Sequence, residues 1–398
     1  MLKLLYIVTM AIAFTSNFMG ENTNYYLRLG MGLLWILLWT IRTKGVIKIS
    51  KFLRYLIFPW ICIFILTLFL WIVNRPEYFN LSYVTRMISN VLYCVVATIN
   101  AYIGLDIFKK EVINMSFWAL IGSIGVNFIF AWQKYGYANI ITYLKTVLVQ
   151  NYTYGSIMED VAKSLEVQGA TMALGVFFIY YLFYYDKEKK LTQKKYILLS
   201  LIGLYIGFKR VVLLGVILVI GILWVLKLKK INIRKVILYT FFAFTLISYG
   251  YIIVVKTDLI SLISLYFNVD MMGRNVIYRN VSKLFEISPF YMGLGFGYAA
   301  KYMFDTTTFA VHSDILRMYI ELGFLPFIGW IWYYVYFIPQ KVIDVFGREA
   351  GKICITITVF VFSTFLVENT MGLYPLMYGL ALFTVCKLAD SERAEVLS

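Results

Sequence analysis

Residues 53–73 read LRYLIFPWICIFILTLFLWIV, with Arg54 as the one charge in the run. About 20 apolar residues in a helix cross the ~30 Å hydrocarbon layer of a bilayer. Hydrocarbon offers no partner for exposed backbone N–H and C=O groups, so such a run spans as a helix. The same reading along the chain predicts spans near 4–20, 24–41, 53–73, 83–105, 112–132, 166–185, 196–208, 211–228, 236–255, 314–338, 352–368 and 371–388. The predicted fold class is therefore all-α: a polytopic transmembrane helical bundle of about 12 spans, with residues 1–398 forming a single integral membrane domain. The pair 196–208 and 211–228 is interrupted by Lys209 and Arg210, which predicts a short tilted helix followed by a tight return.

Composition agrees with this reading. Of 398 residues, 61% are hydrophobic and 15% charged, and the mean hydropathy is +0.78. Soluble domains carry about 45–50% apolar and about 25% charged residues. Disorder, a collagen-like fibre and an ordinary cytosolic enzyme are excluded on that ground. The first run has Lys3 in front and no convincing small-residue cleavage site behind, so it reads as a helix that stays. Cys62, Cys94, Cys354 and Cys386 all fall in apolar runs without metal-ligand spacing, and read as buried packing.

Lys and Arg number 37 against 21 acids, for a formal charge of +16. In a membrane protein that surplus belongs in cytoplasmic loops, and no nucleic-acid partner is expected. A cytoplasmic N terminus puts Lys3, the cluster 42–54, Lys109 and Lys110, the clusters 187–195 and 227–235, and the group 341–352 on one side, together with Lys387 and Arg393. These hold well over half of the basic residues in short segments, which predicts both termini inside. Lys209 and Arg210 are the exception, a basic pair in a short outer turn.

Two outer segments are long for connections between packed helices. Residues 133–165 contain the stretch 140–149, predicted to lie as a helix along the interface. Residues 256–313 form the larger outer loop and the expected catalytic one. It opens on Asp258-Leu-Ile-Ser-Leu-Ile-Ser-Leu-Tyr, a second candidate interfacial helix. No GxxxxGK[ST] phosphate loop or dinucleotide-binding glycine string is present, so ATP-driven transport by this chain alone is not expected.

His312, the chain's only histidine, stands in FAVHSDILRMYIELG, just before a predicted span. A histidine there serves as a helix cap or interfacial residue, or as a base, since a neutral imidazole accepts a hydroxyl proton near neutral pH. Without a second histidine or a carboxylate cluster at ligand spacing, no zinc site and no cofactor is expected. Arg274 follows Gly273 in the same outer loop, and Arg279 comes five residues later. With Lys209, Arg210 and Arg86 they are assigned to one membrane side. Guanidinium groups match phosphate oxygens with paired, charge-assisted hydrogen bonds. A lipid phosphate or diphosphate is the ligand that fits, and snorkelling to anionic headgroups is the competing reading. Gly293, Gly295 and Gly297 follow Pro289 and give the loop backbone freedom to close tightly. Arg28, Arg317, Glu321 and Glu368 are further ionisable residues in or near spans. Arg317 and Glu321, four apart, are placed to pair on one helix face.

The ordered set GFKRVVLLG, MMGRNVIYRN, SPFYMGLGFG, then His312-Ser-Asp and Glu321-Leu-Gly323, resembles the O-antigen polymerase and O-antigen ligase superfamily of bacterial envelope enzymes. The resemblance covers roughly residues 196–338. It implies a membrane-embedded glycosyltransferase whose donor is a glycan on undecaprenyl diphosphate and whose acceptor is a glycan hydroxyl. The reaction takes place at the outer face of the bacterial cytoplasmic membrane. By that resemblance Arg210 matches the basic turn position, Arg274 the Gly-Arg position and His312 the loop histidine. The arginines would engage the diphosphate and the histidine would activate the acceptor. The family often has Ser where this chain has Lys209, and His-Asn where it has His312-Ser313. Implied partners are membrane lipids, a flippase and a chain-length regulator.

Negative charge grows on a lipid diphosphate as the anomeric C–O bond breaks, and fixed cations stabilise it. Direct attack predicts an inverting, metal-independent transfer. Polymerisation of lipid-linked repeat units is the favoured reaction. Transfer to a different acceptor by a ligase, and a lipid-linked oligosaccharide flippase, are the alternatives.

Overall fold

Helices form wherever the sequence is apolar for long enough, and the computed structural model contains α- and 3₁₀-helices, one π-helical segment and no strand among its described residues. These are residues 1–15, 21–44, 51–146, 157–165, 168–184, 190–206, 210–227, 232–267, 274–307 and 310–386. In chain order the α-helices are α1 (Leu2–Phe14), α2 (Glu21–Arg42), α3 (Lys51–Val73), α4 (Leu81–Phe108), α5 (Glu111–Tyr135), α6 (Tyr137–Thr146) and α7 (Ile157–Leu165). Then come α8 (Gln168–Phe183), α9 (Lys190–Ile206), α10 (Arg210–Lys227), α11 (Ile233–Lys256), α12 (Leu259–Tyr266) and α13 (Arg274–Val281). The last are α14 (Tyr298–Thr307), α15 (Asp314–Leu322), α16 (Phe324–Ile331), α17 (Ile338–Phe346), α18 (Arg348–Val367) and α19 (Tyr374–Val385).

Five described helices, α3, α4, α5, α11 and α18, are long and apolar enough to cross a bilayer. Their surfaces have the polarity that lipid requires. On α3 the residues Phe58, Ile61, Ile65, Phe69 and Ile72 recur at helical spacing and are each about half exposed or more. A stripe of that size facing water would be an aggregation site; facing lipid it costs nothing. The architecture is an all-α, multi-helix bundle consistent with a multi-pass membrane protein.

The chain divides into two compact units, Met1–Leu53 with Val96–Ile222 and Leu373–Ser398, and Arg54–Val95 with Leu223–Gly372. In the first unit, α1 packs on α2 and α5, and α8 on α9 and α19. Its interior is bonded by hydroxyl groups as well as packed. Tyr378 Oη lies 2.5 Å from Tyr6 Oη and 2.7 Å from Ser116 Oγ. The Trp35 indole donates to Thr9 Oγ1 at 2.8 Å. Buried polar groups without such partners would cost about 1–3 kcal/mol each. Of the stretch 140–149 expected as a helix, residues 140–146 lie in α6 and 147–149 lie outside the described residues; Ile140 and Tyr143 pack with Ala131, Val161 and Leu165.

The second unit holds the long loop. The expected helix after Asp258 is present as α12, with Leu262, Leu265 and Tyr266 exposed. One predicted span is re-registered. The apolar run 314–338 is not a single helix, because Gly323 takes φ 81° and breaks it. The nine residues of α15 are all buried; at 1.5 Å per residue the helix is only about 13 Å long, too short to span. Helix then runs on from Phe324 through the π-helical segment Trp332–Phe337 to Phe346. That stretch, roughly 35 Å long, has the length of a span.

Candidate functional site

The C-terminal ends of α11 and α18 and the loop carrying α13 meet at one end of the second unit, where Arg274, His312 and Glu368 come together. Arg274, at the start of α13, donates from Nη2 to Glu368 Oε1 at 2.8 Å and from Nη1 to the Val367 carbonyl at 3.2 Å. The other carboxylate oxygen, Oε2, lies 3.8 Å from His312 Nδ1. Glu368 thus bridges the two residues singled out from the loop. Glu368 is 13% exposed, against 27% for Arg274 and 35% for His312, so the carboxylate forms the floor and the two loop side chains the accessible wall.

Backbone clamps hold this arrangement. Asp314 N–H donates to the Glu368 carbonyl at 3.2 Å. In return Asp314 Oδ2 accepts the amides of Thr370 and Met371 at 2.5 and 2.6 Å. Three hydrogen bonds therefore tie residue 314 to the turn 368–371 and set His312 against Glu368. His312 itself takes φ 56°, a left-handed conformation uncommon for a residue with a Cβ. It is not the helix cap: Ser313 Oγ accepts the Leu316 amide at 3.2 Å and caps α15. The imidazole is left outside the helix.

One turn along α13 from Arg274, the Tyr278 hydroxyl accepts from Tyr251 Oη at 2.9 Å. Burial pushes the Tyr278 phenol above its ordinary pKa, so it stays protonated beside the pair.

Behind His312, α15 carries a buried charge cluster. Arg317 Nε lies 3.3 and 3.2 Å from the two oxygens of Glu321, the pair predicted from their spacing. Arg317 Nη1 is 3.9 Å from Asp314 Oδ1, and its guanidinium sits 5.0 Å over the Phe296 ring. Glu321 Oε1 also accepts the Ala299 amide at 3.0 Å. The cluster joins α15 to the glycine loop on one side and to the 368–371 turn on the other.

The glycines of that loop are spent on close packing. All three have positive φ, at 82°, 91° and 94°. A Cβ on Gly293 would lie 2.5 Å from the Gly323 nitrogen and from the Leu322 carbonyl carbon. A Cβ on Gly295 would lie 2.2 Å from the Trp71 indole nitrogen, and one on Gly297 would touch the Met87 backbone at 3.4 Å. Leu294 N–H donates to the Ile320 carbonyl at 2.9 Å and Gly295 N–H to that of Glu321 at 2.8 Å. Trp71 Nε1 donates to the Leu294 carbonyl at 2.8 Å, and Phe296 N–H to Thr67 Oγ1 at 3.0 Å.

The remaining candidates are distributed differently. Arg279 pairs with Asp258 at 3.3 Å in an exposed setting. Five residues at 100° each put it roughly 140° around α13 from Arg274, so the two guanidiniums are not brought together. Arg86 is exposed on α4, next to Met87 and the Gly297 contact. Lys209, Gly273 and the side chain of Arg210 lie outside the described residues; the Arg210 backbone opens α10. Among the described residues no group of three or more His, Cys, Asp and Glu side chains is arranged to hold a metal ion.

Glu368 is the residue whose role sequence reading missed. It was visible as a carboxylate ending an apolar run, but its partners are 94 and 56 residues away along the chain. No family model matches the chain, and no curated protein matches it.

Proposed function

We propose that the chain is a membrane glycosyltransferase, multi-pass with both termini cytoplasmic and about 12 spans, acting on a lipid-diphosphate-linked glycan at the outer end of the second unit. The observation that carries the reading is the Glu368 carboxylate held between Arg274 and His312. With Nδ1 turned to Glu368, Nε2 of His312 is the nitrogen that takes the acceptor hydroxyl proton. The imidazolium that forms is stabilised by the carboxylate, the same division of labour by which a buried acid orients a catalytic histidine elsewhere. The 3.8 Å separation is long for a hydrogen bond, as such contacts often are without substrate.

As the acceptor oxygen bonds to the anomeric carbon, the bond to the diphosphate breaks and its electrons leave with the phosphate oxygen. Arg274 faces that charge with guanidinium donors beyond those held by Glu368 and Val367. Because Glu368 offsets much of its charge, a diphosphate needs further cations than Arg274 alone. Attack from the opposite side inverts the anomeric centre.

The test is multiple-turnover transfer by the purified full chain, fed with an excess of lipid-diphosphate-linked repeat units alone. A ladder of products with inverted linkage supports polymerisation. Product only on adding a distinct acceptor supports ligase activity instead. Movement of the lipid-linked glycan across vesicles without a new glycosidic bond would sink the enzyme reading in favour of a flippase.

A further inference from the structure

A second feature of the same unit is not used by that chemistry. An open pocket of about 560 Å³ is lined by Arg75 and Tyr78 just after α3, Lys256 at the end of α11, and the segment 283–298. Its charged lining is three cations, Arg75, Lys256 and Lys283, against the single carboxylate of Glu286. Its volume is that of a small-molecule site and far exceeds an inorganic anion.

The cations are presented in two ways. Lys256 is fixed, donating from Nζ to the Ser282 and Phe285 carbonyls at 2.7 and 2.5 Å, so it supplies a stationary positive field. Arg75 stands 5.8 Å over the Tyr78 ring, and Lys283 is exposed at the rim. Beside them is a set of flat rings. Tyr298 lies 4.5 Å from Tyr78 and is stacked on Tyr83 at 5.6 Å and on Tyr302 at 6.1 Å. Burial pushes the Tyr298 phenol above its ordinary pKa, and its hydroxyl donates to Tyr78 Oη at 3.2 Å. Tyr298 is itself buried and braces Tyr78, whose half-buried ring offers the pocket an apolar face and a polar hydroxyl rim together. A compact phosphate would use converging donors and no rings, and an acyl chain would use rings and no cations. A sugar ring bearing an acidic group uses both.

The pocket is also in register with the candidate site. Its wall at Tyr291 and Leu294 bonds to the Ile320 carbonyl near the C-terminal end of α15, through Tyr291 Oη at 2.8 Å and the Leu294 amide at 2.9 Å. His312 stands just before the N-terminal end of the same helix. One helix of about 13 Å separates the two, a distance that an oligosaccharide spans. We infer that the pocket bounded by Arg75, Lys283 and the Tyr78–Tyr298 rings is a binding subsite for an anionic saccharide, a uronic-acid-bearing stretch of the acceptor glycan. The saccharide class follows from the pocket alone; its assignment to the acceptor rests on the transfer reading above.

The experiment is ligand-observed NMR and titration of the purified full chain in zwitterionic nanodiscs. The probes are a uronic-acid oligosaccharide, its neutral counterpart of equal length and inorganic phosphate. The acidic oligosaccharide is expected to bind, with Lys283→Gln and Arg75→Gln each weakening it about tenfold, the scale of one lost charge-assisted contact. Lys283 is exposed, so Lys283→Gln folds even if Arg75→Gln does not. His312→Ala is expected to bind the probe as the wild type does. Equal binding of the neutral probe, indifference to Lys283→Gln, or full competition by inorganic phosphate or by anionic lipid vesicles would overturn the subsite. Failure of the transfer reading has a different signature, the absence of any glycosidic product from wild-type chain that still binds the acidic probe.

Discussion

Arg274 and Glu368 are joined at 2.8 Å from opposite ends of the long loop's surroundings, one opening α13 and the other closing α18. The same carboxylate faces His312. Substitution of Glu368 therefore tests whether the bridge has a chemical role. Glu368→Gln keeps the side chain's size and an acceptor for Arg274 but removes the charge opposite the imidazole. It is expected to lower kcat of transfer by about 10²-fold or more, and His312→Ala by about 10²–10⁴-fold, the usual range for a lost general base. KM for the lipid-linked donor is expected to hold in His312→Ala and to hold or fall in Glu368→Gln, where Arg274 loses the charge that offsets it, as measured by steady-state kinetics. A raised donor KM with unchanged kcat would move both residues to binding.

The two arginines of α13 provide a contrast. Arg274→Ala is expected to raise donor KM and lower transfer, whereas Arg279→Ala, whose partner Asp258 is exposed, is expected to leave transfer nearly intact. Equal losses in the two variants would mean that both guanidiniums reach the donor.

The charge cluster on α15 predicts a non-additive stability pattern. Arg317 is buried between Glu321 and Asp314. Removing one partner of a buried pair leaves an uncompensated charge and costs about 3–5 kcal/mol. Arg317→Met and Glu321→Leu are each expected to lower the unfolding midpoint sharply in detergent. The double substitution is expected to lose less than the two single losses together. A simple sum would show that the charges do not depend on one another.

Glycine substitutions should rank by what their Cβ would meet. Gly293→Ala and Gly323→Ala place a methyl against main chain at 2.4–2.5 Å, which cannot give way as a side chain end can. Both also hold positive φ, itself worth about 1–3 kcal/mol for a non-glycine residue. Gly297→Ala meets its neighbours only at 3.4 Å and carries mainly the backbone strain. Folded yield and thermal midpoint are expected to fall most for the first two. Comparable values for all three would show that the crossing can relax.

Helix content and the membrane character were legible in the sequence because apolar runs such as 53–73 leave the backbone no alternative. The Arg317–Glu321 pair was legible for a similar reason, since four residues bring side chains to one helix face. The break at Gly323 was not. A lone glycine in an apolar run is ordinarily tolerated inside a helix, and only the approach of Gly293, thirty residues earlier, shows why this one adopts a left-handed bend. The bridge through Glu368 was hidden likewise. A carboxylate ending an apolar run looks like any interfacial acid until the turn that follows it is tied to Asp314. Local physics writes the helices into the sequence; contacts made across long separations write the site.

The crossing of Gly293 and Gly323 also decides how the loop moves. Tyr291, Leu294 and Gly295 all exchange main-chain hydrogen bonds with residues 320–324. Although it is neither helix nor strand, this stretch is stitched to the end of α15 by its main chain. Its amides should exchange with solvent as slowly as those of the buried helix, while the tip around Phe290 stays quick. The loop is then a rigid shelf with a free lip, and a ligand arriving over it would meet a surface already set in place.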